Sequence, residues 1–382
     1  MEKRYIRQIV QLIALALLAH IALAWPLWFP DARRSVPLVP LFPGIIPEHL
    51  YSNGVLIVLL LVFIGIVLVF PKKQTARAGL ITLLLALVLQ DMNRLQPWLY
   101  FYLLSLGLVT AGNDQPGFTI GGVRLILAAV YAWGGINKLT PFFAVDNFPW
   151  FCEAFVWTRP LGQFPVLGYA VAALEFSFAP GLLWPHARPV FRWLAVGFHL
   201  FIIVALSPTG LGWNTIVIPW NLAMAGMVWL LFDPKISITA AWYKIESGRS
   251  RIITAALLSL AWIFPALNIF HVWDEGLSWK MYSNTQTEAS FYANRPIECG
   301  YTGLNLESLT YDQGRKLLLD DWVMTELHVP AYNSRRTHQQ LARYLCNCMH
   351  RPDSTGLLIL NVDRWKYDAG HWEEIPCSLL NR

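Results

Sequence analysis

Residues 119–139, TIGGVRLILAAVYAWGGINKL, carry one charge, Arg124, before Lys138 and are otherwise almost wholly apolar or small. A stretch of about 20 such residues is what an α-helix needs to cross the hydrocarbon core of a bilayer. Its polar groups, Asn137 and Lys138, gather at one end. Working outward, comparable runs lie at about 8–28, 55–71, 78–90, 97–112, 163–184, 190–207, 213–232 and 253–271. The runs at 78–90 and 97–112 are short and flank Gln90-Asp91-Met92-Asn93-Arg94, which reads either as a tight polar turn between two spans or as a broken pair. The fold expected is therefore an all-α polytopic membrane bundle of eight or nine transmembrane helices.

Composition agrees. Of 382 residues, 55% are hydrophobic and 14% charged, against roughly a quarter charged in soluble domains, which excludes a water-soluble globular enzyme. The charge is also unevenly spread. Residues 1–271 hold 18 Lys/Arg and 10 Asp/Glu, whereas 272–382 hold 11 and 14. Two domains follow: a bundle at 1–271 and a small polar α+β domain at 272–382. The basic residues come in short bursts between apolar runs, not in a stripe, so the net charge of +5 does not indicate a nucleic-acid partner.

Cationic residues concentrate on the cytoplasmic side of membrane proteins. With the N-terminus cytoplasmic, thirteen Lys/Arg of the bundle fall inside and five outside. Nine spans then place the C-terminal domain outside the membrane, in a bacterial cell outside the inner membrane. A cleaved signal peptide, with Ala22-Leu23-Ala24 as its cleavage site, is the other reading of the first run and leaves the rest of the topology unchanged. The five cysteines, Cys152, Cys299, Cys346, Cys348 and Cys377, all fall on the expected outer side, where disulfides form. Cys346 and Cys348 lie two apart in an expected helix and point to different faces. They are expected to bond separately to Cys299 and Cys377, leaving Cys152 free; five unpaired cysteines is the plainer alternative. No metal site is expected, since no second CxxC or HxxxH partner pattern is present.

In the C-terminal domain, Leu277–Tyr282, Ala289–Ala293 and Gly356–Val362 alternate as strands do. Residues 306–327 and 334–349, the second with Ser334 as N-cap, read as helices.

Ionisable residues inside a lipid-embedded domain are costly and so informative. Lys138 follows Gly134-Gly135-Ile136-Asn137; it either snorkels to the headgroups or sits in a partly apolar pocket as a base. The two glycines leave space for a ligand or for a close helix. Glu175 and His199 lie mid-span, as a structural pair between helices or as polar groups of a pocket. Asp91 precedes Trp98-Leu99-Tyr100-Phe101-Tyr102; Trp98, Tyr100 and Tyr102 are either boundary-belt aromatics or flat surfaces for a ring-shaped ligand.

The order of Asp91 and that aromatic run, GGINKL at 134–139, ALEFS at 173–177, GFHLF at 197–201 and LSWKMY at 277–282 resembles the transmembrane domain of vitamin K-dependent gamma-glutamyl carboxylases, known in bacteria as the horizontally transferred transmembrane (HTTM) domain. The resemblance implies that Lys138 is the base that deprotonates a reduced, vitamin K-like quinone, with Asn137, Glu175 and His199 around it. In that family the deprotonated quinol reacts with O2, and the strong base so formed prepares a peptide glutamate to capture CO2. About 110 residues follow the last run here, far fewer than the family uses to bind its protein substrate.

Three functions are consistent with the sequence. The first is a membrane enzyme, of lyase or oxidoreductase type, that handles a quinol or similar apolar ring. The second is a non-catalytic membrane protein whose outer domain binds or helps mature an exported protein or peptide. The third, a transporter, would show matched broken helices in two halves, and only the interrupted pair near Asp91 is present.

Overall fold

The computed structural model describes residues 2–29, 34–44, 54–112, 116–236, 248–295, 297, 310–349, 355–361 and 372–380. By their contacts they form two units. The first comprises Met1–Leu23, Val58–Leu85 and Pro97–Asn284, and the second Ala24–Ile57, Ala86–Gln96 and Thr285–Arg382.

Each apolar run forms a helix: α1 (Glu2–Leu23), α2 (Gly54–Val69), α3 (Gln74–Gln90), α4 (Pro97–Ala111), α5 (Pro116–Lys138), α6 (Pro165–Leu183), α7 (Arg188–Leu206), α8 (Val217–Leu231) and α9 (Gly248–Trp262). Among the described residues four helices, α1, α5, α6 and α7, are long and apolar enough to cross a membrane. A fifth joins them if Ser250–Trp262 and Phe264–Phe270, bent by 42°, form one span. The helices α2, α3, α4 and α8 are apolar but shorter. The 15 residues of α4 rise about 23 Å, against a hydrocarbon core of about 30 Å. Local chemistry sets these lengths. Asp91 stops α3 by capping the single turn Met92–Arg94, and Pro97, which lacks an N–H to satisfy, opens α4.

The helix α5 is buried almost all round, whereas α6 and α7 present large apolar side chains outward, including Val166, Phe176, Val190, Trp193 and Leu200. An exposed surface of that kind suits lipid. Three arginines cap carbonyls at the ends of helices. Arg124 donates to Leu231 O at 2.6 Å, Arg188 to Leu182 O at 3.0 Å and Arg192 to Trp229 O at 2.6 Å. Cations are favoured at helix C-termini because the unpaired carbonyls there are negative, which gives these bundle charges a structural role.

The second unit contains a five-stranded antiparallel sheet of order β2-β3-β1-β4-β5, formed by β1 (Glu288–Ala293), β2 (Thr310–Tyr311), β3 (Lys316–Leu318), β4 (Gly356–Asn361) and β5 (Trp372–Pro376). Phe291 of β1 lies opposite Leu317 and Leu358 and is fully buried. Two helices accompany the sheet, α10 (Leu319–Leu327) and α11 (Arg335–Cys348). Ser334 caps α11 by accepting from Thr337 N at 3.2 Å. The helix buries Thr337, His338, Leu341, Ala342 and Leu345, a stripe at helical spacing.

Two expectations are corrected. Leu277–Tyr282 is not a strand. It begins at the end of a 3₁₀ turn, Glu275–Leu277, and Trp279 and Tyr282 have φ of 57° and 56°, a left-handed backbone that breaks any extended run. The helix expected over 306–327 begins only at Leu319, because residues 310–318 form the β2–β3 hairpin around Asp312, Gln313 and Gly314, all with positive φ. Residues 306–309, Val362 and Cys299 lie outside the described residues. Of the cysteines, Cys346 bonds to Cys377, and Cys152 is a buried free thiol.

The polar turn after α3 is central to the second unit. Asp91, fully buried, pairs with Arg34 at 2.7 Å and accepts from Asn93 N at 3.1 Å. Arg94 directs its guanidinium at the carbonyls of Leu27 and Leu87, and burial lowers it to about 10, which leaves it charged at neutral pH. Asn93 Oδ1 accepts from Tyr332 N at 3.0 Å, and Gln96 donates to Pro330 O at 2.9 Å. Glu326 accepts from Ser35 N and Val36 N at 2.9 and 2.8 Å. The bonds of Asp91 to Arg34, Arg94 to Leu27, Asn93 to Tyr332 and Gln96 to Pro330 join stretches far apart in sequence, so the turn's polarity serves the packing of this unit.

Candidate functional site

Tyr131, Gly134, Gly135 and Lys138 lie at i, i+3, i+4 and i+7 on α5 and therefore share one face. That face meets α6. A Cβ on Gly135 would stand 2.4 Å from Phe176 N, and one on Gly134 would stand 2.6 Å from Glu175 Oε1. The room left by the two glycines is thus taken by the backbone of α6 and by the Glu175 carboxylate. Lys138 Nζ lies 2.9 Å from Glu175 Oε2 and 3.1 Å from Oε1. It also donates to Gly134 O at 3.4 Å. Both residues are only 8% exposed, so Lys138 is turned into the unit and paired.

Two helical turns before Lys138 on α5, Tyr131 meets His199 of α7, with 2.6 Å between Oη and Nε2. His199 Nδ1 is 2.7 Å from Asn221 Oδ1 on α8, and Asn221 Nδ2 donates to Val217 O at 2.8 Å. These distances fix the direction of the chain of bonds. The Asn221 amide nitrogen is committed to Val217, so its oxygen accepts from the Nδ1 hydrogen. His199 Nε2 then accepts the Tyr131 hydroxyl proton. Phe178, one turn from Glu175 on α6, packs edge-on to Tyr131 with 5.3 Å between centroids. Polar side chains from four helices are accordingly satisfied inside an apolar bundle.

Asn137 faces a different neighbour and donates to Ser278 O at 2.8 Å. The segment that follows is held against α4 and α9. Trp279 donates to Ala261 O at 3.4 Å, Tyr100 donates to Leu260 O at 2.9 Å, and the two rings lie 5.1 Å apart. The aromatic run of α4 is divided between two places. Tyr100 joins Trp279, whereas Trp98 and Tyr102 lie with His20 and Trp220. All three are buried.

The first unit therefore brings Lys138 and Glu175 together, sets Asn137 beside Ser278, and gives His199 its own bonded partners. The contacts described for Asp91 all lie in the second unit. Among the described residues there is no group of three or more His, Cys, Asp or Glu able to hold a metal ion.

Tyr131, Asn221 and His20 were not singled out from sequence. Tyr131 could have been found as the residue two turns before Lys138 on the same face. Asn221 could have been found as a lone amide in the apolar run 213–232. Comparison of the chain with protein-family models, curated proteins and solved structures finds no match.

Proposed function

We propose that the chain is a membrane enzyme that takes a proton from the ring hydroxyl of an apolar quinol-type substrate, with Lys138 as the base. The observation that carries this reading is the buried contact of Lys138 Nζ with Glu175, 2.9 Å long, in a helix bundle where an unmatched charge is costly. Proton transfer across that contact leaves a neutral amine beside a carboxylic acid, and the amine lone pair is then an acceptor for an acidic hydroxyl. On taking that proton Lys138 becomes an ammonium again, Glu175 keeps the proton it received, and the negative charge left on the ring oxygen is balanced by the Lys138 ammonium beside it. A quinol supplies an acidic hydroxyl and, after deprotonation, reducing electrons. An amine and a carboxylate together, with Tyr100 and Trp279 packed beyond Asn137, suit such a group. The room at the two glycines does not add to the fit, because α6 occupies it. The bonded set Tyr131, His199 and Asn221 holds α5, α7 and α8 in register around the pair.

In this reading the short helices α2, α3, α4 and α8 also cross the bilayer, the N-terminus is cytoplasmic and residues 272–382 face outside. The Cys346–Cys377 bond supports the last point, since disulfides persist in oxidising compartments.

The test is quinol turnover by the purified full-length protein in lipid nanodiscs. Lys138→Ala should lose activity by at least about a hundredfold, the scale of a general base, measured per mole of folded, monodisperse protein. Undiminished turnover in that variant would overturn the reading.

A further inference from the structure

The first unit contains a second concentration of buried polar atoms, on α1 and α4. His20, in the last turn of α1, is fully buried. Its ring stacks on Trp98, with centroids 4.0 Å and planes 18° apart, and lies edge-on to Tyr102 at 5.8 Å. Trp98, Tyr102 and Ser105 follow one another at i+4 and i+3, on one face of α4. Trp220 of α8 adds a further ring 6.0 Å from Tyr102. His20, Tyr102 and Ser105 are each 0% exposed.

The hydrogen-bond inventory of this cluster does not close. His20 Nδ1 is 2.6 Å from Ala16 O, and a carbonyl oxygen can only accept. The neutral imidazole therefore carries its hydrogen on Nδ1 and presents a lone pair at Nε2. That Nε2, the Tyr102 hydroxyl and the Ser105 hydroxyl have no hydrogen-bond partner among the described residues. The hydroxyls of Tyr100 and Tyr131, in the same unit, both have one. Native proteins satisfy nearly all such buried groups with protein, ordered water or ligand, and a hydroxyl or ring nitrogen left without a partner is destabilising. The His20 and Tyr102 rings meet edge-on and Ser105 follows Tyr102 by three residues on α4, so the three open groups lie on two helices whose rings touch.

We propose that His20, Tyr102 and Ser105 form a binding site for a hydroxyl group. The donor and acceptor pattern selects it. His20 Nε2 requires a donor, which excludes a quinone carbonyl or an anion. Tyr102 and Ser105 offer donors of their own, which disfavours an ammonium. One oxygen that donates to His20 and accepts from Tyr102 or Ser105 satisfies the set. Ordered water and the hydroxyl of an aromatic alcohol both have that chemistry. The site uses none of Lys138, Glu175 and His199, so it stands or falls apart from the function proposed above.

The experiment measures thermal unfolding of the full-length protein in nanodiscs under anaerobic conditions, with durohydroquinone or duroquinone as probe. Wild type is compared with His20→Phe, which keeps a ring against Trp98, and with Tyr102→Phe, Ser105→Ala and Lys138→Met. If a ring hydroxyl is the guest, durohydroquinone raises the melting temperature and duroquinone does not. The His20 and Tyr102 variants then bind at least about tenfold more weakly than wild type. If water is the guest, the response to either probe does not depend on His20, Tyr102 or Ser105, Tyr102→Phe and Ser105→Ala melt lower, and high-resolution density shows an ordered water on His20 Nε2. The proposal is overturned if Tyr102→Phe and Ser105→Ala are as stable as wild type and respond to the probes as it does. It is overturned too if stabilisation by durohydroquinone is lost in Lys138→Met alone and high-resolution density shows no water on His20 Nε2, an outcome that leaves the Lys138 reading standing. The Tyr102 and Ser105 variants each remove a single oxygen and keep the test decisive should His20→Phe fail to fold.

Discussion

Gly135 of α5 faces the backbone of Phe176 on α6 so closely that a methyl group would stand 2.4 Å from the Phe176 nitrogen. Backbone cannot yield as a side chain can, so Gly135→Ala should force the helices apart. The expected cost is about 1–3 kcal/mol, as for other overpacked sites, read as a lower melting temperature in detergent. Gly134→Ala meets a movable carboxylate instead and should cost less stability while displacing Glu175 from Lys138. Equal melting temperatures for wild type and Gly135→Ala would refute the packing described.

Lys138 and Glu175 should behave as a coupled pair. Removing one partner leaves a buried charge, at a cost of about 3–5 kcal/mol. Lys138→Met and Glu175→Leu should therefore each be strongly destabilising, and the double variant should recover much of the loss. A double-mutant cycle in nanodiscs measures this, and simple additivity would show that the two side chains do not share a charge.

Tyr131→Phe removes one hydroxyl and leaves His199 Nε2 without its donor. A loss of about 1–3 kcal/mol follows from an unpaired buried acceptor. Substituting Asn221→Leu in addition removes the acceptor of the His199 Nδ1 hydrogen and should cost a further loss of about 1–3 kcal/mol. Chemical denaturation of wild type, Tyr131→Phe and the double variant reads both losses, and equal stability of the single and double variants would refute the His199–Asn221 bond.

His338 supplies the clearest pH dependence. The side chain is fully buried with neither ring nitrogen bonded among the described residues, and burial lowers it from 6.5 to about 4. The fold favours the neutral ring, so between pH 6.5 and 4 the unfolded chain binds more protons. Stability is then complete above pH 6.5 and falls as pH drops through that window, by on the order of 3 kcal/mol at pH 4 and below. His338→Phe should flatten that slope. An unchanged slope would assign the acid sensitivity to other groups.

Much of this architecture was legible because apolarity over about 20 residues has few other uses. All nine apolar runs became helices, and Ser334 caps the helix it was expected to cap. The number of crossings was less legible. Helices such as α4 and α8 are apolar enough but end early, and where a helix ends depends on caps and prolines more than on hydropathy. Leu277–Tyr282 alternates like a strand, yet its backbone is turned by left-handed residues that its composition does not demand. At the site, Lys138, Glu175 and His199 stood out as ionisable groups in apolar surroundings, but their pairing did not. Lys138 and Glu175 are 37 residues apart, and only the close approach of α5 to α6 joins them. Tyr131, Asn221 and His20 are less legible because an apolar run bears a hydroxyl, an amide or a neutral imidazole at lower cost than a charge, so their presence in it marks a site less sharply.

The buried turn at Asp91–Gln96 also bears on the order in which this protein can fold. Asn93 takes its partner from Tyr332, 239 residues later, and Ser35 takes its partner from Glu326, 291 residues later. During synthesis the early segments emerge with these polar groups in water, and they gain their native partners only when the last part of the chain has been made. Closing such long loops is slow compared with forming helices. The second unit is therefore expected to complete its core last, in one late step, and a ribosome stalled before residue 326 should hold a chain whose helices are protected from hydrogen exchange while its Ser35 and Asn93 regions are not.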